Sequence, residues 1–535
     1  MEALSLDAER RAQHSRAVVH KPKPPLAIIA IGLVGILIAA LVYVPWTNAP
    51  FDILDFSEFL PFLHQHDSLW GRFEAFVAYY ASRGRLNLLS YLFITGKWSL
   101  FGDSAVGWQF ARFGEMCIIV LAVYLFLRRL DLDRWGSAFG ASLFVVAQTA
   151  SPAWIRLTMG EPLGLLAILG ASLIAIRYQN TSRWRASAAM IAALLTAALL
   201  AKEMLAALVP FVLLIACTSD GDGGWRRPSM RRRDVWLVAV VAGGALVVLT
   251  SVAVVALRAS TGAFVSDYGV GSLSFDRFIY SFTAILLPVS GLFAPRFSAV
   301  QLSASLVYCV IVATGVWLSR SDPLLKRRWS PLVVGALMLP AVGALVYLPW
   351  PYFQNFYGLP FLLGPALLLA IATTAIARVR PSWRWAAYAG CLAILCQGAM
   401  AAAHDSRSAI AVRKINRVLV SEIAAQPSVD SVVVAMRYLP SQPWQGLGPT
   451  LGRYAKAVLP DQRIPDISDA LCSATLPMLR EGVGNAILVT YSSQCGAFPV
   501  PARVLRYYYT YLQWPTLRPK RDSLVVGILG PDVTK

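Results

Sequence analysis

Three carboxylates crowd the stretch just beyond the first hydrophobic run of the chain, in Phe51-Asp52-Ile53-Leu54-Asp55-Phe56-Ser57-Glu58-Phe59. Asp52 and Asp55 are three residues apart, so a helix would turn both to one face. Two carboxylates converging at a membrane surface suit a general base, or a base beside a cation site. The same residues also suit a solvated, acidic helix start, and both readings stay open on these residues alone.

Other residues with chemistry are scattered. His64-x-His66-Asp67 has a spacing that could hold a metal, but no third ligand accompanies it. None of the five histidines pairs with a Ser or Cys in a way that suggests a nucleophilic triad. Glu161, in Met159-Gly160-Glu161-Pro162, suits a helix N-terminus with Pro at an early position. Lys202-Glu203 lies between two short apolar runs, where an interfacial ion pair is the plain alternative to a functional one.

The elements that must position these groups are membrane helices. The chain has 535 residues, 57% hydrophobic and 14% charged, with a mean hydropathy of +0.57. A soluble protein carries about 25% charged residues. Leu26 to Trp46 is long enough to cross a hydrocarbon core of ~30 Å. Further apolar runs cover roughly 107–127, 135–152, 160–177, 186–201, 203–217, 235–256, 299–319, 330–348, 357–378 and 384–402. Residues 276–295, broken by Pro288 and Pro295, read as interfacial or re-entrant.

The net charge of +19 would suggest nucleic acid in a soluble chain. Here its placement points elsewhere. The N-terminal tail and the loops 128–134, 177–185, 226–233, 320–328 and 378–384 each carry three to five Lys or Arg. The alternate loops 153–159, 257–275 and 349–356 hold only Arg156 and Arg258, and Lys202 lies in the turn between the fifth and sixth runs. By the positive-inside rule the N-terminus is cytoplasmic and the C-terminus external. The polar first 25 residues and the long first span do not match a cleavable signal.

The expected fold is therefore an all-α polytopic membrane protein of about eleven transmembrane helices with a small α/β extracytoplasmic C-terminal domain. Residues 1–25 form a cytoplasmic tail and 26–403 the membrane body, with a large external loop over 47–105. Residues 404–535 form the soluble domain, with strand-like runs at Ser431–Ala435, Ala486–Tyr491 and Ser523–Ile528. Five cysteines lie in or beside spans, where they serve as small apolar fillers. Cys472 and Cys495 fall in the external segment and are expected to form a disulfide.

Four places resemble the GT-C glycosyltransferase superfamily. Phe51-Asp52-x-x-Asp55-Phe56 is similar to the Phe-Asp-Glu-x-His-Phe stretch of protein O-mannosyltransferases, where the Asp is the proposed base. Arg85-Leu86-Asn87-Leu88-Leu89-Ser90-Tyr91, then Phe101-Gly102 and Trp108 to Phe113, looks like that superfamily's loop into span two. Leu199-Leu200-Ala201-Lys202-Glu203 resembles its Leu-x-Lys-Glu stretch. Tyr352 to Pro360 looks like the aromatic loop before a late span in aminoarabinose and mannosyl transferases. The chain departs from the first motif, with Ile53 for the usual Glu and Asp55 for the usual His.

The resemblance implies a transferase that moves a sugar from a polyprenyl-phosphate donor to an acceptor hydroxyl, most simply with inversion. Asp52 is then the first choice of base and Asp55 the second. The departing lipid phosphate needs cations, for which Arg83, Arg85, Lys202, Arg258 and Arg296 are candidates. Arg83 and Arg85 equally suit pairing with lipid headgroups. Glu161, Glu203, Tyr352 and Tyr357 join the candidate donor site, although an aromatic loop also suits an interface belt. Membrane lipid, the lipid-linked donor and an acceptor of unknown class are the implied partners, and nucleic acid is not. No cofactor is implied, and a divalent metal has no ligand set in its support. The alternatives are a transporter or flippase of lipid-linked saccharides, a polymerase or ligase differing only in acceptor, and a scaffold without catalysis. A transporter would call for charges at mid-membrane and inverted repeats, neither of which the sequence displays.

Overall fold

In the computed structural model the described residues are 59–60, 62–219, 231–258, 275–287, 299–321, 323–348 and 355–424, with residue 455 and the strand segments 431–436, 466–471, 486–491, 503–513 and 518–529. The first span and the acidic stretch with Asp52 and Asp55 lie outside them.

Two helices lie between residue 66 and the first described span. α1 (Leu69–Ser82) starts where the Ser68 hydroxyl accepts a hydrogen bond from the Gly71 N–H at 2.9 Å. It stops at Arg83-Gly84, where Gly84 takes a φ of 77° that suits glycine. α2 (Leu88–Phe101) follows at once. Tyr80 of α1 stacks on Tyr91 of α2, with ring centres 5.0 Å apart, and Phe76 lies 6.1 Å from the same ring. This aromatic seam fixes the turn that carries Arg85 and Asn87.

The body comprises α3 (Ala105–Arg129), α4 (Arg134–Val146), α5 (Ser151–Ile155), α6 (Glu161–Arg177), α7 (Trp184–Ala201), α8 (Val209–Thr218), α9 (Arg232–Arg258), α10 (Phe275–Leu286), α11 (Ala299–Ser321), α12 (Pro323–Tyr347), α13 (Leu363–Val379) and α14 (Arg384–Ala424). Among the described residues eight helical segments are long and apolar enough to cross a membrane. Leu246, Val247 and Leu257 of α9 are 67%, 67% and 75% exposed, an arrangement that water would penalise and lipid does not. The chain is a multi-pass membrane protein.

Two expected spans take other forms. The run 135–152 divides into the 13-residue α4 and the five-residue α5. The helix breaks at residues 147–150, just before Ser151-Pro152. The run 203–217 is a 3-10 segment, Glu203–Leu208, followed by the ten-residue α8 with a Pro in its first turn.

α13 is the central staff, buried from Leu363 to Ile376. α4 lies directly on it: a Cβ on Gly136 would stand 2.8 Å from the Ala370 carbonyl, and one on Gly140 2.6 Å from that of Ala366. The Asp133 N–H donates to the Thr374 hydroxyl at 3.0 Å where the two helices meet.

Beyond α14 the described strands form one sheet in the order β2-β1-β3-β5-β4. These are β1 (Ser431–Met436), β2 (Asp466–Leu471), β3 (Ala486–Tyr491), β4 (Arg503–Gln513) and β5 (Arg518–Leu529). β1 runs parallel to β2 and β3, and β5 pairs antiparallel with β3 and β4. The strand-like runs of the sequence lie in β1, β3 and β5. α14 continues unbroken through residue 403, where the sequence analysis places a domain boundary. Near its far end Arg413, 3% exposed, donates to the Ile155 carbonyl of α5 at 2.8 Å.

Candidate active site

Three chain segments press together where α2 begins, α6 begins and α7 ends. The Ser90 hydroxyl of α2 donates to the Ala201 carbonyl, the last residue of α7, at 2.6 Å. Gly160, just ahead of α6, sits against both: an added Cβ would stand 1.8 Å from Ser90 Oγ and 2.8 Å from the Ala201 oxygen. One turn on, a Cβ on Gly164 would stand 2.1 Å from Leu205. Small residues at 160 and 164 thus let α6 close on α7 and on the 3-10 segment behind it.

That closure brings charges together. α7 stops at Lys202, whose backbone is extended (φ −161°, ψ 118°), and the 3-10 segment begins at Glu203. Glu161 opens α6 with Pro162 behind it and is 2% exposed. A carboxylate at this position is favoured by the helix dipole. Lys202 is half-buried and within electrostatic reach of Glu203, Glu161, Tyr357 and Arg85. Burial alone would lower its pKa, but the carboxylates of Glu203 and Glu161 outweigh it and hold the ammonium above its ordinary range. Tyr357, in the 3-10 segment Asn355–Leu362, is within electrostatic reach of Lys202, Glu161, Arg156 and Arg85. Its ring stacks on Tyr347, at the end of α12, with centres 4.9 Å apart and planes 13° from parallel. The Tyr347 hydroxyl in turn donates to the Met204 sulfur. The result is a site with three cations (Arg85, Arg156 and Lys202), two carboxylates and a tyrosine pair, drawn from five segments.

Directly behind it lies a buried ion cluster. Glu115 of α3 pairs with Lys97 of α2 through one oxygen and with Arg112 through the other, the latter at 2.6 Å. Lys97, Arg112 and Glu115 are 5%, 2% and 9% exposed. Two cations share one carboxylate. Burial, reinforced by Arg112, pushes the Lys97 pKa down to about 8 even though Glu115 pulls it up. The Lys97 ammonium also lies 4.4 Å from the centre of the Phe93 ring. Arg112 spends its other terminal nitrogen on the carbonyls of Leu157 and Met159, at 2.8 and 3.2 Å.

Of the residues singled out in the sequence, Arg85, Glu161, Lys202, Glu203 and Tyr357 converge. Arg83 is turned to the Tyr79 ring, 4.3 Å from its centre. Arg258 ends α9 and is exposed. Asp52, Asp55, Arg296, Tyr352, Cys472 and Cys495 lie outside the described residues. His64 sits 3.4 Å from Asp103 and edge-on to Trp98. Among the described residues no group of three or more His, Cys, Asp or Glu could hold a metal. Sequence reasoning missed the roles of Arg156, Tyr347, Ser90 and the Lys97–Glu115–Arg112 cluster. Charges at 112 and 115 inside an apolar helix were the available signal.

No family model matches the chain, and no curated protein matches it. Among solved structures it is similar to ArnT from Cupriavidus metallidurans in the apo state, at 12% identity over 93% of this chain and 97% of that one, with a TM-score of 0.47. It is similar to the Archaeoglobus fulgidus oligosaccharyltransferase at 11% identity, over 92% of this chain and 72% of that one, with a TM-score of 0.46. Arabinofuranosyltransferase AftD from Mycobacteria, in its R1389S form, gives 12% identity and a TM-score of 0.47 over 95% of this chain, which spans 42% of AftD. Likenesses at these scores carry no function across, so function is inferred from the side chains.

Proposed function

We propose that this protein is a membrane glycosyltransferase of GT-C type that moves a sugar from a polyprenyl-phosphate carrier to an acceptor hydroxyl on the extracytoplasmic face. The observation that carries the proposal is the meeting of Lys202, Arg85 and Arg156 with Glu161, Glu203 and Tyr357 at one end of the helix bundle. Cations clustered there suit a lipid phosphate, and carboxylates beside them suit sugar hydroxyls. Glu161 and Glu203 keep Lys202 charged, so it can take up the developing phosphate charge without first gaining a proton. In the reaction the acceptor oxygen attacks the anomeric carbon. The bond from that carbon to the phosphate oxygen breaks, and its electron pair leaves with the polyprenyl phosphate. The hydroxyl proton passes to a carboxylate, Asp52 in this reading and Asp55 as second choice. A single displacement of this kind inverts the anomeric centre.

The same proposal holds that the chain crosses the membrane eleven times from a cytoplasmic N-terminus, the runs 135–152 and 203–217 as broken rather than single helices. Residues 404–535 then form an external α/β domain, with Cys472 and Cys495 bonded. β2 and β3 flank β1 and both run parallel to it, so Leu471 and Tyr491, the described residues nearest before the two cysteines, finish at the same end of the sheet, an arrangement compatible with that pairing. The charges of the candidate site itself, Arg156, Glu161, Lys202 and Glu203, stand at helix ends, as transfer at the membrane interface requires, whereas Arg112 and Glu115 lie within α3.

The test is sugar transfer by the purified protein in lipid, with a panel of polyprenyl-phosphate sugars, for wild type, Asp52→Asn and Lys202→Met. Transfer by wild type that both folded variants lose supports the reading. A folded wild type that transfers no sugar from any donor overturns it.

A further inference from the structure

The buried cluster behind the site has a geometry that ion pairing alone does not call for. Glu115 already neutralises one cation, yet it holds two. Arg112 then reaches past the pair to the Leu157 and Met159 carbonyls on the chain between α5 and α6. Met159 is followed by Gly160, which is wedged against Ser90 and Ala201, and then by Glu161. The segment is therefore gripped from both sides, by a guanidinium on its carbonyls and by the α7 terminus on its glycine. Only arginine has the planar fork to serve a carboxylate and two carbonyls at once. A lysine, with one terminal nitrogen, cannot span the three acceptors.

We infer that Arg112 is a positioning residue: anchored on Glu115, it clamps the 157–159 carbonyls and so sets Glu161 at its station beside Lys202. Lys97 completes the device from α2, the helix whose Ser90 holds the Ala201 carbonyl. The inference rests on the donor-site reading for its significance, because it makes Arg112 a determinant of how the phosphate cation is presented. It does not require that reading for its test.

The test reads the charge state of Lys202 directly. Full-length protein in lipid nanodiscs is reductively methylated with 13C-formaldehyde, which keeps the amine titratable, and the Lys202 resonance is assigned with Lys202→Arg. Its pKa is then measured in wild type, Glu161→Gln, Arg112→Gln and Asp234→Asn. Asp234 is equally buried but lies at the start of α9, bonded to Gln179, and controls for loosening of the fold in general. Glu161→Gln lowers the Lys202 pKa, Arg112→Gln lowers it by at least half as much, and Asp234→Asn leaves it in place. If Arg112→Gln does not fold, Glu115→Gln replaces it. That variant keeps the shape but removes the charge that aims the guanidinium, and it shifts Lys202 in the same direction. Lys202 titrating as in wild type in the folded Arg112 or Glu115 variant overturns the inference, whether or not Glu161→Gln moves it. An equal shift in Asp234→Asn also overturns it, since loosening would then suffice. Sugar transfer measured on the same wild-type preparation judges the donor-site reading separately. A Lys202 shift without transfer would sink that reading and leave the positioning role standing.

Discussion

Gly160→Ala is the sharpest probe of the close approach that builds the site. The new methyl would stand 1.8 Å from Ser90 Oγ, 2.9 Å from Ser90 Cβ and 2.8 Å from the Ala201 carbonyl oxygen. Ordinary carbon contacts lie at about 3.5–4.0 Å, so Ser90 Oγ must withdraw by more than ~1.5 Å. It can do so by rotating, at the cost of its hydrogen bond to Ala201, which leaves a buried carbonyl unpaired for about 1–3 kcal/mol. Rotation does not relieve the other two contacts, because Cβ and the backbone oxygen do not move with the hydroxyl. The start of α6 must therefore back away from α7, carrying Glu161 from Lys202. Overpacking of this kind costs about 1–3 kcal/mol, offset by less than ~1 kcal/mol from the entropy a glycine loses on folding. A displacement near 1 Å at a catalytic centre lowers turnover by about 100-fold. Thermal unfolding in lipid and sugar transfer, on wild type and Gly160→Ala, measure the two effects together. Adding Ser90→Ala to Gly160→Ala removes the 1.8 Å contact alone and restores part of the stability but little of the turnover. Wild-type turnover and stability in Gly160→Ala would refute the reasoning, since the helices could not then be so close.

Lys202→Met removes the central cation, and transfer falls by at least 100-fold while the fold survives. Because the folded pKa of Lys202 is raised, its stabilising contribution is present below the unfolded value near 10.4 and fades only as pH rises above it. Donor binding should thus be level from neutral pH to about 9 as far as Lys202 is concerned, a profile read by titrating binding of a polyprenyl phosphate. Lys97 has the opposite sign: its folded pKa of about 8 lies below the unfolded 10.5, so the unfolded chain binds more protons in that window and stability rises across it. Denaturation at pH 7.5 and pH 10, compared with Lys97→Met, should display that rise in wild type only. Asp52→Asn should abolish turnover with donor binding intact. If Asp55→Asn does so instead, the base is three residues along. Cys472 and Cys495 should resist alkylation until reduced, and losing the bond should cost about 3 kcal/mol for a loop of this length, measured by mass spectrometry and thermal unfolding of Cys472→Ser.

Much of the membrane body was legible because apolar runs of span length leave few alternatives. The two exceptions share a cause. Hydropathy averages over residues 135–152 and 203–217, whereas the backbone responds to Pro152 at the start of α5 and Pro210 at the start of α8. In the site, Lys202-Glu203 and Glu161 stood out because charges between apolar runs are costly. Their meeting did not, since it depends on glycines at 160 and 164 admitting α7, a long-range fact that no local pattern encodes. Arg112, Glu115 and Lys97 span two helices and act on a third segment, and nothing in their spacing announces the Leu157 and Met159 carbonyls. Asp52 and Asp55, the first residues to suggest chemistry, lie outside the described residues and remain a reading of the sequence.

α14 is 41 residues long and unbroken. At 1.5 Å per residue such a rod measures about 60 Å, twice the ~30 Å of a hydrocarbon core. It is therefore a lever with one arm among the spans and the other beyond them, pinned by Arg413 to the Ile155 carbonyl, next to Arg156. A chain cut at residue 403 would not simply shed a tail. It would saw through the lever and lift the pin from the loop beside the site, so such a truncation reports on the loop and the tail together.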